Sequence, residues 1–247
     1  MTLLAGLQPL LYRYTEQTDI LVGSTVANRD KKEISNLIGL FVNNLIFRTK
    51  FNPQLTFRQL LQQVKETALS AYEYQDLPYE YLVEKLQPER NLSHNPLFQV
   101  MFQVQSGYQL QNAEQLAVDM PGLSPVQGWI ELNQTKFDMS WHVIERNESL
   151  LVAVEYRTGV FDCDRIAHML SHFQTLTTSV LANPDSSIAD LSLLSPQEYQ
   201  QLLEWGQGKA VAPIKECFPQ RFEQQAENTP DALAIQVKLP NRESLSL

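Results

Sequence analysis

Histidines are the most evident candidates for chemistry, because the sequence contains only four of them. His168 and His172 lie four residues apart in a predicted helix, and this is the spacing at which two imidazoles bind one metal ion. No glutamate occupies the position that a metalloprotease helix requires, and no third ligand stands out. We therefore interpret the pair as part of a polar helix face and predict no metal site.

A second candidate is His142, which lies in a predicted strand with its side chain on the face opposite Trp141. An imidazole suits a general base near neutral pH, but the sequence marks neither a nucleophile nor a carboxylate as its partner. Asp76 and Glu80 flank the start of a predicted helix, where carboxylates stabilise the helix dipole. No G-x-S-x-G elbow occurs. The sequence therefore predicts no catalytic residue, and a structural or exposed position for His142.

Three glutamines share one face of a predicted strand. Residues 98–105 alternate with period two, so that Phe98, Val100, Phe102 and Val104 lie on one side and Gln99, Met101, Gln103 and Gln105 lie on the other. A face with three amides suits the border of a polar channel. The alternative is a strand whose polar face is turned to solvent. We take Gln99 and Gln103 as candidate channel residues.

Four further apolar runs predict strands, and one segment predicts a long loop. Residues 19–24 (DILVGS) and 38–47 (IGLFVNNLIF) are typical of buried strands, with a bend at Gly39. Residues 137–144 and 150–156 predict a hairpin across residues 146–148. Residues 106–135 have no clear periodicity and contain Pro121-Gly122, which favours a loop. A short strand is also predicted over residues 232–237.

Apolar spacings of three and four residues predict the helices that pack on these strands. The first covers residues 2–14, and we expect Pro9 to kink it or to confine it to the residues that follow. Capping boxes at Thr56 and Ser195 each begin a helix. The remaining predicted helices begin near Pro78, with Leu82, Val83 and Leu86 inward, at Asp162 or Asp164, and at Phe218.

Composition excludes several classes of protein. The 247 residues carry 19 Lys and Arg against 28 Asp and Glu, a net charge of −9 that disfavours binding to nucleic acid. With 9 glycines, the chain has no glycine-rich phosphate loop. Two cysteines exclude a disulfide scaffold. No apolar run approaches the ~20 residues of a membrane span, and no secretory signal is evident, so we expect the cytoplasm.

Four stretches in fixed order carry a family resemblance: TLLAGLQPLLYRYTEQTDILVGSTVANR, IGLFVNNLIFR, YQDLPYE and ERNLSHNPLFQVMF. Together with FDMSWHVI and RIAHMLSHFQTL further on, they resemble the second half of a condensation domain from a nonribosomal peptide synthetase. Asn44, Tyr74, Tyr79, Asn91 and His94 depart from that family's pattern. The changes at Asn91 and His94, where Asp and Arg are usual, put a family ion pair in doubt.

The resemblance implies an α/β fold like one lobe of chloramphenicol acetyltransferase, with a mixed sheet and packed helices. In the family two lobes form a cleft, where phosphopantetheine arms of two peptidyl carrier proteins deliver thioesters and a peptide bond forms. The catalytic His-His-x-x-x-Asp-Gly motif belongs to the first lobe, and no His-His pair occurs in this sequence. The resemblance thus implies the second lobe alone, inactive by itself and without a directly bound cofactor.

The resemblance also implies a division of the chain. Residues 1–195 correspond to the lobe and residues 196–215 to an interdomain linker. Residues 216–247 resemble the start of an adenylation domain, and we expect residues 206–247 to pack weakly. The partners implied are peptidyl carrier proteins, the missing N-terminal lobe and the adenylation domain. Two alternatives stay open: a module that binds carrier proteins or pairs with a lobe without chemistry of its own, and a small acyltransferase that uses His142.

Asn43 is the third candidate channel residue. The resemblance places its strand near the cleft, and an Asn amide can both donate to and accept from the amides of a pantetheine arm. In that case Asn43→Ala lowers turnover and leaves the melting temperature within a few degrees. The alternative is an amide that hydrogen-bonds neighbouring backbone and only holds the strand, so that its loss lowers the melting temperature instead.

Overall fold

The computed structural model describes residues 1–89, 94–106, 134–146, 149–208, 217–233, 236–237 and 245–246. These residues fall into two compact units, Met1–Tyr199 and Gln200–Leu247. The predicted loop over residues 106–135 and the sequence ERNLS lie mostly outside the described residues. In the first unit the helices and strands are α1 (Thr2–Thr15), β1 (Asp19–Val26), α2 (Lys32–Ser35), β2 (Asn43–Lys50), α3 (Phe57–Glu73), α4 (Tyr79–Leu86), β3 (Val100–Ser106), β4 (Met139–Arg146), β5 (Ser149–Tyr156) and α5 (Cys163–Ala182).

The first unit is built on a five-stranded mixed sheet with strand order β2-β1-β3-β4-β5. β1 runs antiparallel to β2 and parallel to β3, and β3 runs parallel to β4. β4 and β5 form the predicted antiparallel hairpin. Five of the six segments that the sequence assigned to strands therefore enter one sheet, which confirms the predicted α/β fold.

The second predicted strand begins later than the apolar run suggested. β2 starts at Asn43, and the preceding residues 37–42 form no strand. Ile38 and Leu40 are 105% and 91% exposed. The apolar residues before Asn43 were predicted to lie in a buried strand, but they form an exposed segment instead. Arg29 holds this segment by donating to the carbonyls of Leu37 and Gly39 and by lying 4.4 Å from the ring centre of Phe41.

α1, α3 and α5 pack on one side of the sheet and enclose the core. That core combines Val22, Phe47, Phe102 and Trp141 of the strands with apolar residues of all three helices. α1 continues through Pro9, so the proline does not confine the helix to the residues that follow it; the alternative that Pro9 kinks α1 stays a prediction. Its residues 4–11 are all buried, and this packing offsets the one backbone hydrogen bond that proline removes.

Two helices, α3 and α4, start where the sequence predicted. Thr56 Oγ1 accepts from Gln59 N, while Gln59 Oε1 accepts from Thr56 N, so α3 begins with the reciprocal capping box. α4 begins after Pro78. None of the residues of α4 is buried, and Leu86 is exposed. The prediction that Leu86 faces inward is therefore wrong, because α4 lies at the surface beside the start of β2.

α5 joins the sheet to the segment that follows it. Its N-cap is Asp162, without a side-chain capping bond, and it ends at Asn183 as predicted. Ile166, Phe173 and Leu176 are buried, and the Phe173 ring lies 5.3 Å from that of Trp141. A short 3-10 helix, Ile188–Asp190, returns the chain to the start of α3, where Ile188 N donates to Leu55 O.

Hydrogen bonds around the buried His172 fix the start of the next helix, α6 (Pro196–Gly206). His172 Nδ1 lies 2.7 Å from the hydroxyl of Tyr14, and His172 Nε2 lies 3.1 Å from Glu198 Oε1. Glu198 Oε2 also accepts from Ser195 N, as the predicted capping box requires. Hydrogen bonds from Ser195 and the nearby His172 lower the pKa of Glu198, whereas burial raises the pKa of Tyr14.

We expect Glu198→Gln to lower the unfolding free energy only at a pH where Glu198 of the unaltered chain is charged. The folded pKa of Glu198 is depressed below its ordinary value of 4.5, so its stabilisation is complete above that value and is lost as the pH falls through the folded pKa. Denaturant unfolding of both proteins from pH 7 to pH 3 measures this. The difference in unfolding free energy should shrink towards pH 3; a difference that stays constant would contradict the role given to the charge.

The second unit has its own short elements. α7 (Phe218–Asn228) confirms the predicted helix, and β6 (Gln236–Val237) pairs antiparallel with β7 (Leu245–Ser246). β6 overlaps the strand predicted over residues 232–237. Residues 196–206 of the predicted linker form α6, residues 209–215 lie outside the described residues, and the weak packing of residues 206–247 stays a prediction. Among the described residues, no helix is long and apolar enough to cross a membrane.

Candidate functional site

A crevice lies at the carboxyl ends of the parallel strands β1 and β3. Open α/β sheets bind ligands at this edge, because side chains from neighbouring parallel strands converge there. The crevice has a volume of about 390 Å³, within the usual range of ligand sites. It is lined by Met1, Leu4, Ser24, Thr25, Ala27, Val42, Phe47, Ala68, Tyr72, Phe102, Gln103, Val104 and Gln105.

Gln103 is the predicted channel residue that the structure places in this crevice. Its Nε2 donates to Thr25 Oγ1 at 2.8 Å, and Thr25 Oγ1 lies 3.3 Å from Asn44 Oδ1. The three side chains form a polar row across β3, β1 and β2. The sequence did not mark Thr25 or Asn44 as channel residues, since their contribution depends on β1 pairing with both neighbours. Alternation within β3 was the signal that found Gln103.

Asn43 lies beside the crevice with its amide fully engaged by backbone. Its Nδ2 donates to Gln75 O at 2.8 Å and to Leu77 O at 2.7 Å, and its Oδ1 accepts from Tyr79 N at 3.0 Å. These bonds clamp the turn between α3 and α4 against the start of β2. They favour the second alternative for Asn43, an amide that holds backbone, and its channel role stays a prediction.

We expect Asn43→Ala to destabilise the first unit by about 2–3 kcal/mol, because three backbone groups lose their partner at once. Chemical denaturation of the two proteins measures the change in unfolding free energy. Gln75→Ala is the matched control, since Gln75 contributes only its backbone carbonyl to the clamp. Stability within 0.5 kcal/mol (roughly the scatter at surface sites) in Asn43→Ala would contradict the clamp and return Asn43 to the channel.

Gln99 lies just before β3, at the end of that strand away from the crevice. Its Nε2 donates to Asn95 O at 3.3 Å. Asn95 in turn accepts from the hydroxyl of Tyr79 and from Phe98 N, so this end of β3 is tied to the start of α4. The side chains of Gln99 and Gln103 therefore lie at opposite ends of β3 and bond different residues. A channel role for Gln99 stays a prediction.

Phe98 closes the sheet from the side opposite the helices. Its ring occupies the space next to Gly23, where an added Cβ would lie 2.1 Å from a ring carbon. It stacks on Phe137 at 5.1 Å and meets Tyr79 edge-on at 5.9 Å. The prediction that Phe98 shares a face with Val100 and Phe102 is therefore wrong, because β3 begins only at Val100 and the alternation does not extend back to Phe98.

His142 points away from the helices, as predicted from its position opposite Trp141. Its Nε2 lies 3.7 Å from Oε2 of Glu155, a residue that the sequence did not mark. That nitrogen has no hydrogen-bond partner among the described residues. Nearby, Asp138 pairs with His94 Nδ1 at 3.3 Å and with Arg157 Nη1 at 3.1 Å. Asn91 lies outside the described residues, so the doubt about the family ion pair at Asn91 and His94 stays a prediction.

The remaining candidates have structural partners. The rings of His168 and His172 lie 6.4 Å apart, and both ring nitrogens of His172 are engaged by Tyr14 and Glu198. The described part of the chain holds no cluster of three or more metal-binding side chains. Asp76 lies 3.7 Å from Lys31, and Glu80 lies in the first turn of α4, where its charge favours the helix dipole.

A larger depression of about 830 Å³ lies between α5 and residues 189–199. It is open to one side, and Arg13 at its edge is held by the carbonyls of Ala189 and Leu191. None of the candidate site residues lines it. We therefore take the crevice at the strand ends, which contains Gln103, as the candidate site.

Two known proteins show what this chain resembles in sequence. A linear gramicidin synthase of Brevibacillus parabrevis is 41% identical over 238 residues, and bacitracin synthase 3 of Bacillus licheniformis is 39% identical over 238 residues. Each match covers 95% of this chain and only 3% and 4% of the relative, so the chain spans a small part of these proteins.

Solved structures share the fold. A four-domain nonribosomal peptide synthetase bound to AMP and glycine matches 94% of this chain and 18% of its own, with a TM-score of 0.75 and 23% identity. The X-domain from teicoplanin biosynthesis matches 78% of this chain and 43% of its own, with a TM-score of 0.68 and 25% identity. The condensation domain model matches residues 1–203, and the chain belongs to the condensation domain family of nonribosomal peptide synthetases.

Proposed function

We propose that this chain supplies the second lobe of a condensation domain and forms no peptide bond by itself. The observation that carries the proposal is that 78% of the chain corresponds to 43% of the teicoplanin X-domain, while its 247 residues contain no His-His pair. The chain thus provides the sheet and one wall of the cleft. The group that moves a proton during amide formation belongs to the other lobe.

In this proposal the chain has three parts: the lobe (residues 1–195), a linker (residues 196–215) and the start of an adenylation domain (residues 216–247). The first compact unit ends at Tyr199, and the family match ends at residue 203. Both support a boundary within α6, close to the predicted one. The relatives are named as synthases of linear gramicidin and bacitracin, which supports a product of that kind, a secondary metabolite. A cytoplasmic location is part of the proposal.

The substrates in this proposal are thioesters on the phosphopantetheine arms of peptidyl carrier proteins. Gln103 is the residue of this chain best placed to orient such an arm. Gln103 Nε2 donates one hydrogen bond to Thr25 Oγ1. No described residue donates to Gln103 Oε1, so that oxygen can accept a hydrogen bond from an amide of the arm. Asn43 and Gln99 complete the proposed channel set; the chain itself holds no cofactor in this proposal.

Incubation of the chain with donor and acceptor thioesters on carrier proteins tests the proposal. Intact-mass measurement of the acceptor carrier protein reports the product. We expect the rate of the uncatalysed reaction, because the proton-transferring pair is missing. Product above that rate would overturn the proposal, and a His142→Ala variant would then show whether the open acyltransferase alternative accounts for it.

A second candidate function is a non-catalytic module that binds a carrier protein or pairs with a lobe. The exposed apolar segment of residues 37–42 favours it, because Arg29 holds four large apolar side chains outward from the fold. Exposed apolar clusters of this kind often mark contact surfaces. Retention of the chain on an immobilised phosphopantetheinylated carrier protein supports this function; a monomeric chain that is not retained would count against it.

A further inference from the structure

The two edge strands of the sheet, β2 and β5, differ in how they are protected from further strand pairing. β2 carries Arg48 and Lys50, both exposed, and Asn43 ties its start to the turn before α4. β5 has the sequence SLLVAVEY, without lysine, arginine or proline, and no described strand pairs with its outer side. Charges and prolines are what natural proteins use to block an edge. β5 is therefore the open edge of this sheet.

The backbone of β5 offers hydrogen bonds on that outer side. Just beyond the strand, Arg157 N donates to Asp138 O, so these two residues form a hydrogen-bonded pair of the β4–β5 ladder. Hydrogen-bonded and non-hydrogen-bonded pairs alternate along an antiparallel ladder. Leu150, Val152 and Val154 therefore turn their N–H and C=O groups away from β4, towards the open edge.

The sequence of β5 is complementary to itself about Val152. When two copies pair antiparallel with Val152 opposite Val152, Leu150 lies opposite Val154 of the second copy and Leu151 lies opposite Ala153. Apolar side chains then meet on both faces of the sheet, and cross-strand pairs of this kind stabilise it. The outward backbone groups of one copy also meet those of the other, because both strands turn the same residues outward. A two-fold axis perpendicular to the sheet relates the copies.

The ends of this pairing carry opposite charges. In the same register Glu155 lies opposite Ser149 of the second copy, and within its own copy Ser149 pairs with Arg146. All three side chains lie on the face of the sheet away from the helices. Glu155 is 59% exposed, and Arg146 is exposed without an ion pair to any described residue. Two strand spacings, about 10 Å, separate the Cα atoms of Glu155 and Arg146, and their long side chains can meet over the short Ser149.

We propose that the open edge of β5 is an interaction surface for a second copy of this chain, joined by antiparallel pairing of β5 with β5. The inference goes beyond the proposed function and does not depend on it. The pairing uses residues 149–155 of each copy, far fewer than the ~20–30 residues a side of a standard interface. We therefore expect a reversible dimer with a dissociation constant of about 0.01–1 mM.

Sedimentation equilibrium of the whole chain, from about 10 µM to 1 mM, measures this dimer. Glu155→Arg and Arg146→Glu each bring like charges together and should weaken dimerisation about tenfold or more. An equimolar mixture of the two variants should associate like the unaltered chain, because each variant then meets the opposite charge on its partner. Glu66→Arg is the matched control, since Glu66 is exposed on α3 and the same charge change there should leave dimerisation unaltered.

Val152→Pro tests the backbone part of the pairing. It removes an N–H group that faces the open edge and leaves the hydrogen bonds to β4 in place, so the folded variant should be monomeric. Circular dichroism shows whether it folds, and the charge variants decide if it does not. The inference is overturned by a chain that stays monomeric up to about 1 mM, or by a mixture of the charge variants that associates no better than either alone. A dimer that survives in folded Val152→Pro would place the contact elsewhere, such as the exposed residues 37–42, and would overturn it too.

Discussion

Gly23→Ala is expected to destabilise the first unit by about 3 kcal/mol, because the new methyl group would lie 2.1 Å from the Phe98 ring. The ring cannot move aside at low cost, since Phe98 is fully buried and stacks on Phe137. The limit here is space and not backbone conformation, because Gly23 lies within the regular pairing of β1 with β2 and β3. Denaturant unfolding measures the loss.

Gly159→Ala is the matched control, since nothing lies within 4 Å of the position its Cβ would take. We expect it to change stability by less than about 0.5 kcal/mol. The double variant Gly23→Ala with Phe98→Leu tests the cause, because a smaller side chain should relieve part of the clash. If Gly23→Ala is as mild as Gly159→Ala, the packing of Phe98 on β1 is described incorrectly.

Trp141→Ala is expected to cost about 4 kcal/mol, in the usual range for removing a large buried aromatic side chain. Trp141 is completely buried in the centre of β4, and its ring contacts Phe173 of α5. The variant leaves a cavity between the sheet and that helix. Differential scanning calorimetry of the variant should show a melting temperature lower by several degrees or more.

Trp205→Ala provides the comparison for that variant. Trp205 is 73% exposed in α6, so removal of the same side chain creates no cavity. We expect its melting temperature to match that of the unaltered chain within experimental error. Equal losses in the two tryptophan variants would show that Trp141 does not join α5 to the sheet.

Much of the fold follows from local sequence signals. The capping pair Thr56 and Gln59, the hairpin of β4 and β5, and the helical stripe of α5 each depend on residues close in sequence, so each was predictable. The start of β2 was not. The run from Ile38 to Val42 is apolar, but its exposure is set by Arg29, whose hydrogen bonds to that segment no periodicity reveals.

The candidate site was less predictable, because it depends on pairing between distant strands. Alternation pointed to Gln103, but only the parallel pairing of β1 with β3 brings Thr25 within 2.8 Å of its amide. For Asn43, the sequence marked the residue but did not predict its hydrogen-bond partners. Its position was marked by the resemblance, yet its three backbone partners come from the turn after α3, which the strand pattern around Asn43 cannot show.

Single-turnover amide formation with the two lobes supplied separately tests the central claim most directly. The chain is mixed with a condensation lobe that carries His-His-x-x-x-Asp-Gly, and with donor and acceptor thioesters on carrier proteins; intact mass reports the product. We predict no product from either piece alone, product from the two together, and none when the histidine pair is replaced by alanines. Product from this chain alone, or product that persists without the histidine pair, would contradict the claim.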